Sequence, residues 1–265
     1  MSPTSTPSPS PSPSTPSFEE LVADAEAAPT EGWDFSWFEG RATEERPSWG
    51  YARAMGERLA VAEAALDVQT GGGEVLASAR VLPRLTVATE GWPPNVVKAT
   101  ALLHPRGAVV VASPEDAPLP FGDAAFDLVV SRHPVTAHWT EIARVLVPGG
   151  TYFAQHVGPS SAYELVEYFL GPQPEAKRNA RHPDRERAGA EAAGLEIVDL
   201  RAERLRMEFH DIGAVVHFLR KVVWMVPGFT VEQYRTRLLD LHERIVAEGP
   251  FVAHSSRHLI EARRP

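Results

Sequence analysis

The chain has 265 residues, 43% hydrophobic and 23% charged, with a formal net charge of -9, the profile of a globular protein of one large domain or two small ones. The acidic balance argues against a broad phosphate-backbone footprint, which needs surplus Lys and Arg, so nucleic acid is not an expected partner. No apolar run is long enough to cross a bilayer, and the absence of cysteine excludes disulfides and thiolate metal sites, as expected of a cytoplasmic protein without a membrane span.

Apart from Met1, the first 17 residues are Ser, Thr and Pro. They lack the apolar stretch of a secretory signal and have nothing to bury, so a disordered, polyproline-leaning tail is expected. A helical pattern follows over 18–28. Then come aromatics, Trp33, Phe35, Trp37 and Phe38, and later Trp49 and Tyr51, which could cap a cleft or seal the core. Residues 52–64 read as a helix. From there strands and helices alternate. Strands are expected over 64–68, 85–90, 108–112, 126–131 and 151–156, and helices over 74–82, 95–103 and 136–145. Pro148-Gly149-Gly150 ends the last of these with a turn. A helix over 188–195, a strand over 196–202, helical stretches around 212–223 and 231–248, and a last strand centred on 258–262 complete the chain. Such alternation predicts an α/β fold: a Rossmann-like, doubly wound, mostly parallel sheet with helices on both faces.

In such sheets ligands bind at the carboxyl ends of the strands. There the sequence places Gly71-Gly72-Gly73, which let a ligand approach the backbone, and Glu90, 17 residues beyond Gly73, able to accept two ribose hydroxyls. A dinucleotide site wants G-x-G-x-x-G, but Leu76 stands where the third glycine belongs, and Glu74 would face a pyrophosphate. A cationic ligand without phosphate suits these residues better.

Asp67-Val68-Gln69-Thr70-Gly71-Gly72-Gly73 resembles the first motif of the class I S-adenosylmethionine (SAM) methyltransferases. Glu90-Gly91 is similar to that family's ribose-binding acid. Glu115-Asp116-Ala117-Pro118-Leu119-Pro120-Phe121 is similar to its adenine loop, Phe126–Val130 to its fourth-strand motif, and Glu141–Gly150 to its helix-to-turn motif. The resemblance spans residues 60–160 and implies the class I methyltransferase fold with an antiparallel last strand. The implied organisation is a tail over 1–17, a helical and aromatic cap over 18–64, and a SAM-binding core over 65–202. A helical insertion or lid over 203–250 and the final strand over 251–265 follow. The implied cofactor is SAM, with S-adenosyl-L-homocysteine as product. Its implied contacts are Asp67, Gln69, Thr70, Gly71, Gly73, Glu90, Gly91, Trp92, Glu115, Asp116, Ser131 and Arg132. Within them, Gly71 and Gly73 face the methionine part, Glu90 the ribose, Trp92 the adenine ring, and Glu115 or Asp116 the adenine amine. Gln69 stands where the family has a glycine. Either its φ stays negative or its side chain contacts the ligand.

Histidine suits a general base near neutral pH. His133, just after the fourth strand, is the first candidate, and His156, at the end of the fifth, the second. His210-Asp211 could form an oriented pair. Trp37, Trp49, His133, His210 and Trp224 are candidate acceptor-binding residues, and the aromatics suit a planar or apolar small molecule, as in specialised metabolism. The histidines are dispersed and no acidic cluster of the metal-dependent kind is visible, so no metal is expected. Two further readings stay open, an RNA or protein methyltransferase and a non-catalytic SAM-fold module. A monomer or homodimer is expected.

Overall fold

The computed structural model describes residues 16–30, 32 and 35–265. The Ser/Thr/Pro tail expected over 1–17 therefore lies outside the described residues up to position 15, as do Trp33 and Asp34. Ser17 belongs to the first helix. Its hydroxyl accepts from the Glu20 N–H, and the Glu20 carboxylate accepts from the Ser17 N–H, a capping box that starts α1 (Phe18–Ala27). In chain order there follow β1 (Ala42–Glu44), α2 (Tyr51–Leu59), β2 (Ala64–Asp67), α3 (Glu74–Ala77), β3 (Leu85–Glu90), α4 (Pro93–Leu103), β4 (Val109–Ala112) and β5 (Phe126–Arg132). Next are α5 (Trp139–Val145), β6 (Leu146–Val157), α6 (Tyr163–Leu170), α7 (Glu175–Arg178), α8 (Pro183–Ala192), β7 (Glu196–Phe209), α9 (Ile212–Lys221), α10 (Val231–Glu248) and β8 (Phe251–Arg263).

The strands form one eight-stranded sheet in the order β1-β7-β8-β6-β5-β2-β3-β4. β2 to β6 pair in parallel, and β8 is antiparallel to both β6 and β7. This is the expected α/β sheet with its antiparallel last strand. β1, absent from the sequence reading, adds an antiparallel edge to β7.

Two-residue alternation sorts the side chains onto the faces. Ala65, Ala88, Leu128, Val130, Phe153 and Leu259 meet α2, α3 and α4 through Met55, Leu59, Leu76, Ala99 and Leu103. Leu66, Val87, Val129, Tyr152, Ala154 and Ile260 meet α5 and α8 through Ile142, Val145 and Ala190. Asp127, on β5, turns its carboxylate to the N–H groups of Glu63 and Ala64 and so pins the start of β2.

Several expected boundaries move. β6 begins at Leu146, because Phe126 pairs with Leu146 and Leu128 with Thr151, so the Pro-Gly-Gly stretch arches out of the strand rather than preceding it. α3 is four residues long, not nine. β7 runs on to Phe209, so residues 203–209 are strand, not insertion.

That extension builds a second layer. β6 ends at Val157, opposite Arg257, while β7 and β8 continue as a ribbon from Arg204↔Ser256 to Phe209↔Phe251. At about 3.3 Å per residue this overhangs the strand ends by roughly 20 Å. α1, α6, α9 and α10 pack on it around Val22, Phe169, Phe209, Leu219 and Leu238. α9 is buried at nine of its ten positions. It starts on Asp211, whose carboxylate accepts the Ala214 N–H at 2.8 Å. Gly213 is required there, since a Cβ would lie 2.7 Å from the Leu21 carbonyl oxygen. Residues 18–25, 37–42 and 207–253 thus contribute to one apolar cap. Among the described residues no helix is long and apolar enough to cross a membrane.

Candidate functional site

At the carboxyl edge of the sheet, β2 and β3 deliver two buried acids, Asp67 and Glu90. The Glu90 carboxylate accepts the N–H groups of Gly71 (2.8 Å) and Trp92 (2.9 Å), which ties the glycine loop to the turn after β3. Each oxygen keeps a lone pair for another donor. Asp67 accepts the Thr70 hydroxyl at 2.6 Å. Burial pushes Asp67 up to about 7; the Thr70 hydrogen bond opposes that rise and the neighbouring Glu90 adds to it. Asn95 is buried on the stripe of α4 that continues through Ala99 and Leu103, and its Oδ1 has no hydrogen-bond partner.

Ala99 and Leu103 also explain Gly73. Its φ is +85°, and a Cβ there would sit 3.0 Å from Leu103. Packing of the loop on α4 dictates this glycine. Gly71 has φ +64° and turns its N–H to Glu90.

Gln69 follows neither of the two routes expected for it. Its φ is +58°, and its side chain contacts protein. The amide Nε2–H donates to the Thr136 carbonyl at 2.9 Å, and Oε1 accepts the Val135 N–H at 2.6 Å. A left-handed non-glycine residue costs about 1–2 kcal/mol. Two hydrogen bonds at about 0.5–1.5 kcal/mol each are of the size to offset it. Gln69 straps the glycine loop to the loop after β5.

Trp92 is 47% exposed at the start of α4, next to Gly91. The loop after β4 is drawn beside β3 by the Ser113 N–H, which donates to the Glu90 carbonyl at 2.9 Å. Glu115 and Asp116 stand exposed on that loop, and the Glu115 carbonyl meets the His138 ring.

The chemistry of the donor set is the test of fit for SAM. Asp67, Glu90 and Asn95 offer acceptors, and among the described residues neither carboxylate is ion-paired with a basic side chain. A ligand rich in hydroxyl and ammonium donors, with positive charge, fits these groups. A pyrophosphate does not.

On the neighbouring strands, Ser131 is spent on structure. Its hydroxyl donates to the Val68 carbonyl at 2.7 Å, and its carbonyl accepts the Tyr51 hydroxyl at 2.9 Å. Arg132 ends β5, exposed, and makes no ion pair among the described residues. His133 has φ +58°. Its N–H donates to the Gln155 carbonyl at 2.7 Å, and its Nε2 lies 2.9 Å from Gln155 Nε2. The Trp49 indole N–H, a donor only, points at Gln155 Oε1 at 2.8 Å. Gln155 must therefore donate from Nε2, so His133 Nε2 accepts and Nδ1 carries the proton. Burial, then Arg132 and Arg257, hold the His133 ring well below the usual imidazole range.

Trp49 is thus a buried positioning group rather than an open platform. The remaining candidates lie elsewhere. Trp37 packs on His217 and Arg41 inside the cap. Trp224 lies in the α9–α10 connection. His210 is 3.9 Å from Glu208, and Asp211 is occupied as the cap of α9, so the two form no pair. His156 projects to the face opposite Gln155, as alternation along β6 demands, and meets the Tyr152 hydroxyl at 2.9 Å. The cap aromatics pack in pairs, Phe209 on Phe218 and Phe229 on Tyr234.

Residues 66–154 match the family model of a methyltransferase domain. No curated protein matches the sequence. Among solved structures, a candidate methyltransferase from Bacillus halodurans C-125 is 20% identical, with a TM-score of 0.58 over 82% of this chain and 100% of that one. The YcgJ protein of Bacillus subtilis is 14% identical, with a TM-score of 0.56 over 81% and 97%. The cyclase SpnF is 18% identical, with a TM-score of 0.52 over 94% and 93%. At these identities the likeness is one of fold.

Proposed function

We propose that this chain is a class I SAM-dependent methyltransferase, a reading its domain match and fold support, and that it methylates a small polar acceptor bearing an anionic group, held at the ends of β5 and β6 beneath the cap. The observation that carries this reading is the Trp49–Gln155–His133 chain of hydrogen bonds, which fixes one imidazole at the strand end. The residues left at that edge are polar and cationic, with Arg132 unpaired and His133 in a strained φ of the kind found at functional sites. This favours a charged or polar acceptor over the apolar one the aromatics implied.

Asp67, Gly71, Glu90 and Trp92 would hold SAM, with Asn95 as a further acceptor. Bound there, SAM supplies a methyl group on a sulfonium, an electrophile that mainly needs an aligned nucleophile. His133 then serves as an N–H donor that orients the acceptor. It is not the general base first expected, because its Nε2 lone pair is already engaged by Gln155. Arg132 binds the acceptor's anionic group.

Methyl-labelled SAM, incubated with the full chain and separated small-molecule, RNA and protein fractions, tests this reading. Label is expected in the acidic small molecules. With the acceptor so found, His133→Ala should lower turnover roughly 10- to 100-fold and leave SAM affinity unchanged, whereas Arg132→Met should raise the acceptor KM. Label in RNA or protein, or full turnover in His133→Ala, would contradict it.

A further inference from the structure

We propose that His156, His258 and Glu186 form a binding site for a divalent first-row transition metal, on the face of the sheet opposite Gln155 and His133. The site is independent of the methyl-transfer reading and uses none of its residues.

Strand register makes the first half. His156 on β6 and His258 on β8 are direct cross-strand partners, so both side chains leave the same face, and their ring centroids are 5.1 Å apart. α8 lies over that face and brings Glu186. One donor atom from each of the three residues falls within 4.8 Å of the others. His156 Nδ1 is 3.7 Å from a Glu186 carboxylate oxygen, too long for a hydrogen bond. It is close to the spacing of about 3.4 Å between two ligands held tetrahedrally at about 2.0–2.1 Å from one ion.

The second observation is His258 itself. It is fully buried, and neither ring nitrogen has a hydrogen-bond partner. A buried polar group left so carries an uncompensated desolvation cost, which a metal bond would relieve. Tyr152, whose hydroxyl meets His156 Nε2, supplies the outer partner that fixes the ring with Nδ1 toward the ion. Trp139 stacks on the same ring at 6.1 Å. Two imidazoles and a carboxylate suit zinc or ferrous iron. An ion here ties α8 to β6 and its neighbour β8.

The test is zinc, and cobalt(II) for its visible spectrum, titrated into the chelator-treated full chain carrying no histidine tag. One ion per chain and a raised Tm are expected, with binding lost as pH falls and protons compete. His156 and His258 are core residues, so the variant is Glu186→Gln on the helix surface, which should weaken binding at least tenfold or so, the loss even an outer partner causes. His210→Ala, remote and exposed, should bind as the parent does. Failure of the parent to take up zinc, or equal affinity in Glu186→Gln, would overturn the site.

Discussion

Asp67 is the residue whose protonation most directly tests the proposed cofactor site. It is buried beside Glu90 and raised from 3.8 to about 7. A raised acid binds a proton in the folded state that the unfolded state has released. Its contribution to stability is therefore fully present below about pH 3.8 and is lost as pH rises towards 7. A cationic ligand reverses the preference and expels that proton. SAM binding below pH 7 is expected to release up to about one proton, to weaken as pH falls, and to show an enthalpy that depends on the buffer's own ionisation heat. Asp67→Asn should abolish that dependence. A buffer-independent enthalpy in the parent would mean Asp67 does not sense the ligand. Asp67 and Glu90 were legible in the sequence because each closes a strand within a few residues of its glycine. Gln69 was visible only as a departure from pattern. Its bonds to Val135 and Thr136 join segments 66 residues apart, which no local pattern encodes.

At the scale of elements, the core strands were read well because apolar alternation and turn residues bound them. The ribbon of β7 and β8 was missed although its signal was present. Leu205, Met207 and Phe209 alternate with Arg204, Arg206 and Glu208, and the charges masked the period. The contact of α1 with α9 was not legible at all, since it depends on where the ribbon carries α9. Gly213 tests it. A methyl placed 2.7 Å from the Leu21 carbonyl must push the helices apart. Gly213→Ala should cost about 1–3 kcal/mol and lower Tm by several degrees, with α1 losing amide protection first. An unchanged Tm would show that the two helices are not held at this distance.

The whole molecule is a mixed, mostly parallel sheet whose carboxyl edge carries two buried acids, roofed by a cap that its own strands extend to build. The glycine loop and Glu90 meet across two neighbouring parallel strands, where the SAM site is proposed. Titration calorimetry of the full chain with SAM and with S-adenosyl-L-homocysteine tests it most directly. One molecule of either should bind per chain. Glu90→Ala should weaken SAM by about 1–3 kcal/mol, roughly 5- to 150-fold, because the N–H groups of Gly71 and Trp92 lose their acceptor together with the ligand's hydroxyls. Absence of binding at millimolar ligand, or an affinity untouched by Glu90→Ala, would contradict the account.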